Sequence, residues 1–172
     1  MSSENPGPEP SDRQALLRID DHPAALAITA RLIADTRRSL CLRSLRLESW
    51  LLDAPDVLAA LRGLATSGRD VQIRLLMQEL TPPRDAPERL LTLAQRLPSV
   101  FWFRLIDDPA YHQDRSALIL NDVGGYFLRP QGDTVEGSAC LQDRARARQL
   151  AHAFEDAWER ARAVTEYRAL GL

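Results

Sequence analysis

Apolar residues recur every three or four positions in three stretches of the first hundred: Leu26, Ala30 and Ile33; Val57, Leu61, Leu64 and Ala65; Leu90, Leu93, Ala94 and Leu97. That spacing lines one face of a helix and predicts three amphipathic helices. Each stretch follows an aspartate-x-proline triplet, Asp21-His22-Pro23, Asp53-Ala54-Pro55 or Asp85-Ala86-Pro87. An aspartate there accepts hydrogen bonds from the free amides of a first turn, and proline has its φ preset and no amide to leave unpaired. Asp56 and Glu88 follow the second and third aspartates by three residues, approximating a capping box. All three aspartates are therefore expected to be helix caps, and Gly68 and Pro98 to end the second and third helices.

Short apolar runs suited to strands lie between these helices, at residues 39–45, 71–77 and 100–106. The alternation, with connections long enough for parallel crossovers, predicts an α/β fold: a mixed, mainly parallel sheet with helices on its faces. After Ile106 the rhythm changes. Asp107-Asp108-Pro109 reads as a turn, and residues 117–120 and 126–129 as a hairpin around Val123-Gly124-Gly125. A further short strand at 138–141 precedes a long helix from about Asp143. Its apolar face is Ala147, Leu150, Ala151, Phe154, Trp158 and Ala161, which must pack on the sheet.

Composition narrows the class. With 172 residues, 45% of them hydrophobic and 27% charged, the chain suits one globular domain, and no apolar run approaches the ~18 residues of a membrane span. Residues 1–13, rich in Ser, Glu, Pro and Gly, read as a disordered segment ahead of a single domain at 14–172. They have no signal-peptide pattern, so a cytoplasmic location is the expectation. Cys41 and Cys140 sit among apolar neighbours, the setting of reduced core thiols. All 22 basic residues are arginine, which excludes lysine Schiff-base and Walker-type chemistry. The net charge of −2 means that any nucleic-acid or phosphate site would have to be a local arginine patch. Arg37, Arg38, Arg144, Arg146 and Arg148 are the candidates for one.

The layout resembles one half of a phospholipase D-like protein. The resemblance runs from a helix and strand through Ser67-Gly68-Arg69-Asp70-Val71-Gln72-Ile73-Arg74-Leu75-Leu76 to a closing helix carrying Phe154-Glu155-Asp156-Ala157-Trp158-Glu159-Arg160, about 150 residues in all. It implies a His-x-Lys-x-x-x-x-Asp signature, in which the histidine attacks phosphorus, the lysine steadies the phosphate oxygens and the aspartate supports the site. The matching run here is Asp114-Arg115-Ser116-Ala117-Leu118-Ile119-Leu120-Asn121. Asp114 stands at the histidine position, Ser116 at the lysine position and Asn121 at the aspartate position. Starting from His112 instead puts Asp114 and Ile119 at the other two positions. A carboxylate in the nucleophile's place would repel a phosphodiester. The resemblance thus implies a degenerate member without catalytic residues or cofactor. The chain is also similar to an uncharacterised bacterial domain found alone or joined to GNAT-type acetyltransferases, although it lacks their pyrophosphate-binding loop. The expected role is that of a binding or regulatory module, with a homodimer or a separate protein as partner.

Two other classes fit parts of the sequence. Asp107, Asp108, His112, Asp114 and Asp122 could hold a divalent metal, which would make the chain a metal-dependent phosphoesterase using His112, Asp114 and Asp122. The favoured reading is that Asp107, Asp108 and Asp122 are turn residues beside Pro109 and Gly124-Gly125, so no metal site is expected. His22 lies at a helix start and His152 inside a helix, and neither has a second histidine or a cysteine at helical spacing, so neither supports a metal site. The arginine patches could bind nucleic acid or phosphate. Gly-x-Ser-x-Gly, Gly-rich phosphate loops and Cys/His metal spacings do not occur.

Overall fold

The structure is a computed structural model and describes residues 12–169. Its elements are β1 (Leu17–Ile19), α1 (His22–Asp35), β2 (Ser39–Ser44), α2 (Ser49–Leu52), α3 (Pro55–Ala65), β3 (Gln72–Met77), α4 (Glu88–Arg96), β4 (Phe101–Leu105), β5 (Ala117–Asn121), β6 (Tyr126–Arg129), β7 (Gly137–Cys140), α5 (Arg144–Arg160), β8 (Arg162–Ala163) and α6 (Glu166–Ala169). The strands form one sheet in the order β1-β7-β6-β5-β2-β3-β4-β8.

The α/β class and the mixed sheet agree with expectation, but parallel pairing is confined to β2, β3 and β4. The other five strand pairs are antiparallel. Connection length explains the division. The β2–β3 and β3–β4 links each carry a helix and so permit parallel crossovers, whereas β5, β6 and β7 follow one another through short turns. The short elements β1, α2, β8 and α6 carry too few residues for periodicity to reveal them.

Strand alternation supplies both faces of the core. Leu40, Leu42, Ile73, Leu75, Phe101, Phe103, Ile119 and Phe127 point to the layer of α1, α3 and α4. Cys41, Leu76, Leu118, Leu120 and Tyr126 point to α5, where they meet Ala147, Phe154, Ala157 and Trp158. Each fully buried leucine or phenylalanine contributes about 1.5–3 kcal/mol, so the central strands are the most strongly held part of the chain. Both cysteines are free and buried. The long helix stops at Arg160, and Ala161, its C-cap, still packs against the α5 side of the core.

The three aspartates differ from one another. Asp21 caps α1, its carboxylate accepting the Ala24 amide at 2.8 Å. Asp53 does not cap α3, whose N-cap is Ala54; it accepts the amides of Arg89 and Leu90 at 3.2 and 2.9 Å and so caps the start of α4. Asp85 lies in a 3-10 turn ahead of α4 and pairs with Arg84 at 3.6 Å. Folding sets the α2–α3 junction beside the first turn of α4, so a spatial neighbour takes the role assigned to the sequence neighbour. Of the segment read as disordered, residues 1–11 lie outside the described residues. Asp12–Gln14 form a 3-10 turn, and Arg13 pairs with Asp35 at 3.0 Å.

Asp21→Ala and Asp53→Ala should each lower stability by about 1 kcal/mol through loss of a cap, while Asp85→Ala should stay within about 0.5 kcal/mol. Urea midpoints of the three variants check the order. Equal losses for Asp53→Ala and Asp85→Ala would contradict it.

Candidate functional site

In open α/β sheets ligands bind beyond the carboxyl ends of the parallel strands, at the point where strand order reverses. Here that point lies beside β2, which has β3 on one side and the antiparallel β5 on the other. A shallow cleft of about 290 Å³ opens at this edge, lined by Leu45, Arg46, Glu48, Glu79, Arg115, Gly132 and Asp133. Arg46 donates to Glu79 at 2.6 Å across it.

Behind the cleft lies an ion pair between Arg129, whose side chain is 4% exposed, and Glu48, at 18%. Arg129 Nη1 donates to Glu48 Oε2 at 3.1 Å and to the Thr134 carbonyl at 3.0 Å, and its Nη2 donates to Glu48 Oε1. Trp50 Nε1 donates to Glu48 at 2.8 Å, and the guanidinium lies 5.6 Å from the Trp50 ring and 6.0 Å from that of Phe127. Every polar contact joins the pair to its own framework, so the pair anchors the β6 end to the loop after β2.

Asp114 and Ser116 come together at this edge, just before β5. The Asp114 carboxylate accepts the Ser116 amide at 3.0 Å and faces Arg43 Nη2 at 3.3 Å. The Asp114 carbonyl accepts from Gln78 and, at 3.3 Å, from Arg43. Partial burial pushes the Asp114 carboxyl up, but the hydrogen bonds from Ser116 and the Arg43 charge outweigh it and hold it below the usual value. Asp114 is therefore an ionised carboxylate fixed by an arginine.

Asn121 lies at the far end of β5 and is buried. Its Oδ1 accepts the amides of Val123 and Gly125 at 3.1 and 2.7 Å, and its Nδ2 donates to the Leu32 carbonyl at 3.1 Å. It shapes the β5–β6 turn and ties it to α1. Gly125 is required beside it, since a Cβ there would sit 2.6 Å from Leu32 Cδ2 and 2.8 Å from Asn121 Nδ2. Asp122, next in sequence, accepts the amides of Arg37, Arg38 and Ser39 at 2.9, 2.8 and 3.2 Å and so holds the entry to β2. His112 Nε2 donates to the Ile106 carbonyl at 3.2 Å.

The geometry corrects the proposed grouping of His112, Asp114 and Asp122. Five strand residues at ~3.3 Å each separate Asp114 from Asp122 by roughly 16 Å, with the two beyond opposite ends of β5. Asp108 caps a 3-10 turn by accepting the Ala110 amide at 3.0 Å, and Asp107 faces Arg162 at 3.8 Å. Among the described residues no group of three or more His, Cys, Asp or Glu is placed to hold a metal.

Sequence reasoning passed over the arginines that are buried or half-buried in the sheet. Besides Arg43 and Arg129, Arg74 of β3 is held by Glu155 of α5, with Nη1 to Oε2 at 2.9 Å, and lies 5.2 and 5.4 Å from the rings of Phe154 and Trp158. Their trace in the sequence is an arginine inside an otherwise apolar strand pattern. The hydrogen bond from Arg74 lowers the Glu155 carboxyl, outweighing partial burial.

Two outcomes follow. Arg129→Met should cost about 3 kcal/mol by leaving the half-buried Glu48 carboxylate without its partner, and adding Glu48→Leu should recover much of that; denaturant midpoints check both. Glu155 has a folded-state pKa below its unfolded value, so its contribution is complete above the unfolded value and is lost as pH falls through the folded one. The melting-temperature gap between the native chain and Glu155→Gln should thus be present at neutral pH and close in acid. A gap that persists at the acid end would contradict this.

Comparisons with solved structures place the fold. Nuc from Salmonella typhimurium, a phospholipase D family member, is 14% identical with a TM-score of 0.63, over 87% of this chain and 97% of that one. NucT from Helicobacter pylori is 10% identical with a TM-score of 0.58, over 87% and 98%. TrmBL2, an archaeal chromatin protein, is 15% identical with a TM-score of 0.58, over 92% of this chain and 56% of that one. At these identities the likeness is one of fold, a phospholipase D-like α/β scaffold. No curated protein sequence matches the chain. A family model does match, over residues 21–170, nearly the whole described structure, and the chain therefore belongs to the family described as Domain of unknown function (DUF7931).

Proposed function

We propose that this chain is a non-catalytic binding or regulatory module on a phospholipase D-like scaffold. The observation that carries this reading is the state of Asp114. Where the scaffold's signature calls for a histidine nucleophile, the chain has a carboxylate, held ionised by Ser116 and Arg43. An ionised carboxylate repels an incoming phosphodiester, and its charge is already satisfied within the protein. Ser116, at the lysine position, brings no cation to steady a phosphate oxygen. Asn121, at the aspartate position, is committed to the β5–β6 turn. The partner in this reading is a protein: a second copy of the chain, or a separate chain such as an acetyltransferase.

A second reading, nucleic-acid binding through arginine, is favoured by one comparison. TrmBL2, which shares the fold, is described as showing a novel mode of DNA binding. Arginine is also the sole cationic side chain of this sequence apart from histidine, and its planar fork matches phosphate geometry.

The purified chain should show no turnover of bis(p-nitrophenyl) phosphate above buffer, with or without added magnesium, manganese or zinc. Turnover abolished by Asp114→Asn would overturn the non-catalytic reading. Light scattering on the same sample separates the partner modes, since a strict monomer would leave only a separate protein.

A further inference from the structure

We infer that Arg37, Arg38, Arg144 and Arg148, at the end of β5 opposite Asp114, form a surface that binds the phosphodiester backbone of a nucleic acid. This inference rests on the nucleic-acid reading above and assigns that reading a place. It lies away from the cleft, at the end of the sheet where β2 begins and β5 ends.

Three segments distant in sequence are locked together there. The Asp122 carboxylate holds the amides of Arg37, Arg38 and Ser39, which fixes the backbone carrying the first two arginines. Two residues on, Gly124 adopts φ +92 and accepts the Asp143 amide at 2.8 Å through its carbonyl, so the β5–β6 turn is tied to the start of α5. A Cβ on Gly124 would lie 3.0 Å from Arg144 Cγ, so the stem of Arg144 rests directly on that turn. Arg148 follows one helical turn later on the same side of α5. Arg69 Nη1 donates to the Arg37 carbonyl at 3.2 Å and adds a fifth cation.

The four arginines are exposed, and their guanidinium groups have no carboxylate partner among the described residues. The acids nearby are otherwise engaged. Asp122 bonds three backbone amides, Asp143 caps α5 by accepting the Arg146 amide at 3.0 Å, and Asp35 is taken by Arg13 and Arg31. Asp70 is the remaining carboxylate of the β3 entry. Elsewhere on the surface Arg46, Arg84, Arg160 and Arg162 each face a carboxylate, while the exposed Arg18, Arg62, Arg89, Arg96 and Arg115 are spread over other elements of the fold. Where β2 begins, the packing of three separate segments brings several arginines without a carboxylate partner onto one rim.

The chemistry of the ligand follows from charge and spacing. A net charge of −2 gives no long-range attraction to a broad anionic surface, so affinity must come from direct contacts to a few arginines. Arginine forks bind phosphate bidentately. Cations presented by separate segments along one edge suit a ligand with repeated phosphates more than a single phosphate group.

The test is fluorescence anisotropy of a labelled mixed-sequence DNA duplex, and of its single strand, titrated with the full chain at several salt concentrations. Binding should weaken linearly on a logarithmic salt scale. Arg37→Glu with Arg38→Glu should weaken it by about tenfold or more, and Arg144→Gln with Arg148→Gln should lower the salt slope by about one for each phosphate that an arginine no longer neutralises. Arg84→Glu, away from the rim, should bind as the native chain does, and melting curves establish that each variant is folded. Native binding that the rim variants leave intact would overturn the location while sparing the nucleic-acid reading. No binding at any salt would overturn both. Binding to phosphatidylserine vesicles in preference to DNA would overturn the ligand class.

Discussion

Burial of β2 and β3 on both faces is the constraint from which the rest of the molecule follows. Two adjacent strands with apolar side chains alternating up and down need a helical layer above and another below. The α1, α3 and α4 layer supplies one cover through the crossovers that make β2, β3 and β4 parallel. The other cover is α5, which has to come from the end of the chain because the earlier long helices pack on the opposite face. Between them the β5–β6–β7 meander widens the sheet, and α5 crosses back over it.

Arginine enters this core only where a partner or an aromatic face meets it. Arg74 lies between the Glu155 carboxylate and the stacked rings of Phe154 and Trp158, and Arg104 lies 4.6 Å from the Trp158 ring while donating to its carbonyl at 2.8 Å. Arg129 and Glu48 repeat the arrangement with Trp50 on the other layer. A buried guanidinium without such company would be severely destabilising, and a lysine, with a compact and strongly hydrated charge, would fit these flat niches poorly. Arginine's planar shape thus lets the sheet carry charge at its strand ends.

A similar rule governs the carboxylates. Asp21, Asp53, Asp122 and Asp143 all accept backbone amides, at the starts of α1, α4, β2 and α5. Four chain entries are held by acids that composition alone would also allow to be catalytic. The cleft edge and the arginine rim lie at opposite ends of β5, so the position suited to phosphodiester chemistry and the surface proposed for phosphate contact are separate.

The sequence by itself determined the helices with a strong apolar period, the three runs that became β2, β3 and β4, the hairpin and the closing helix. These signals are local: periodicity, turn residues and prolines act within a few positions of themselves. It also carried the arginine candidates Arg37, Arg38 and Arg144, though not their neighbourhood. Only the tertiary structure decided that Asp53 caps α4 instead of α3, that Asp114 and Asp122 are held at opposite ends of β5, that the sheet is mostly antiparallel, and that Arg43, Arg74 and Arg129 are drawn inward. Each of these depends on a partner tens of residues away along the chain. A carboxylate's role is set by whichever amide or guanidinium folding brings within about 3 Å of it, and no spacing rule along the chain encodes that distance.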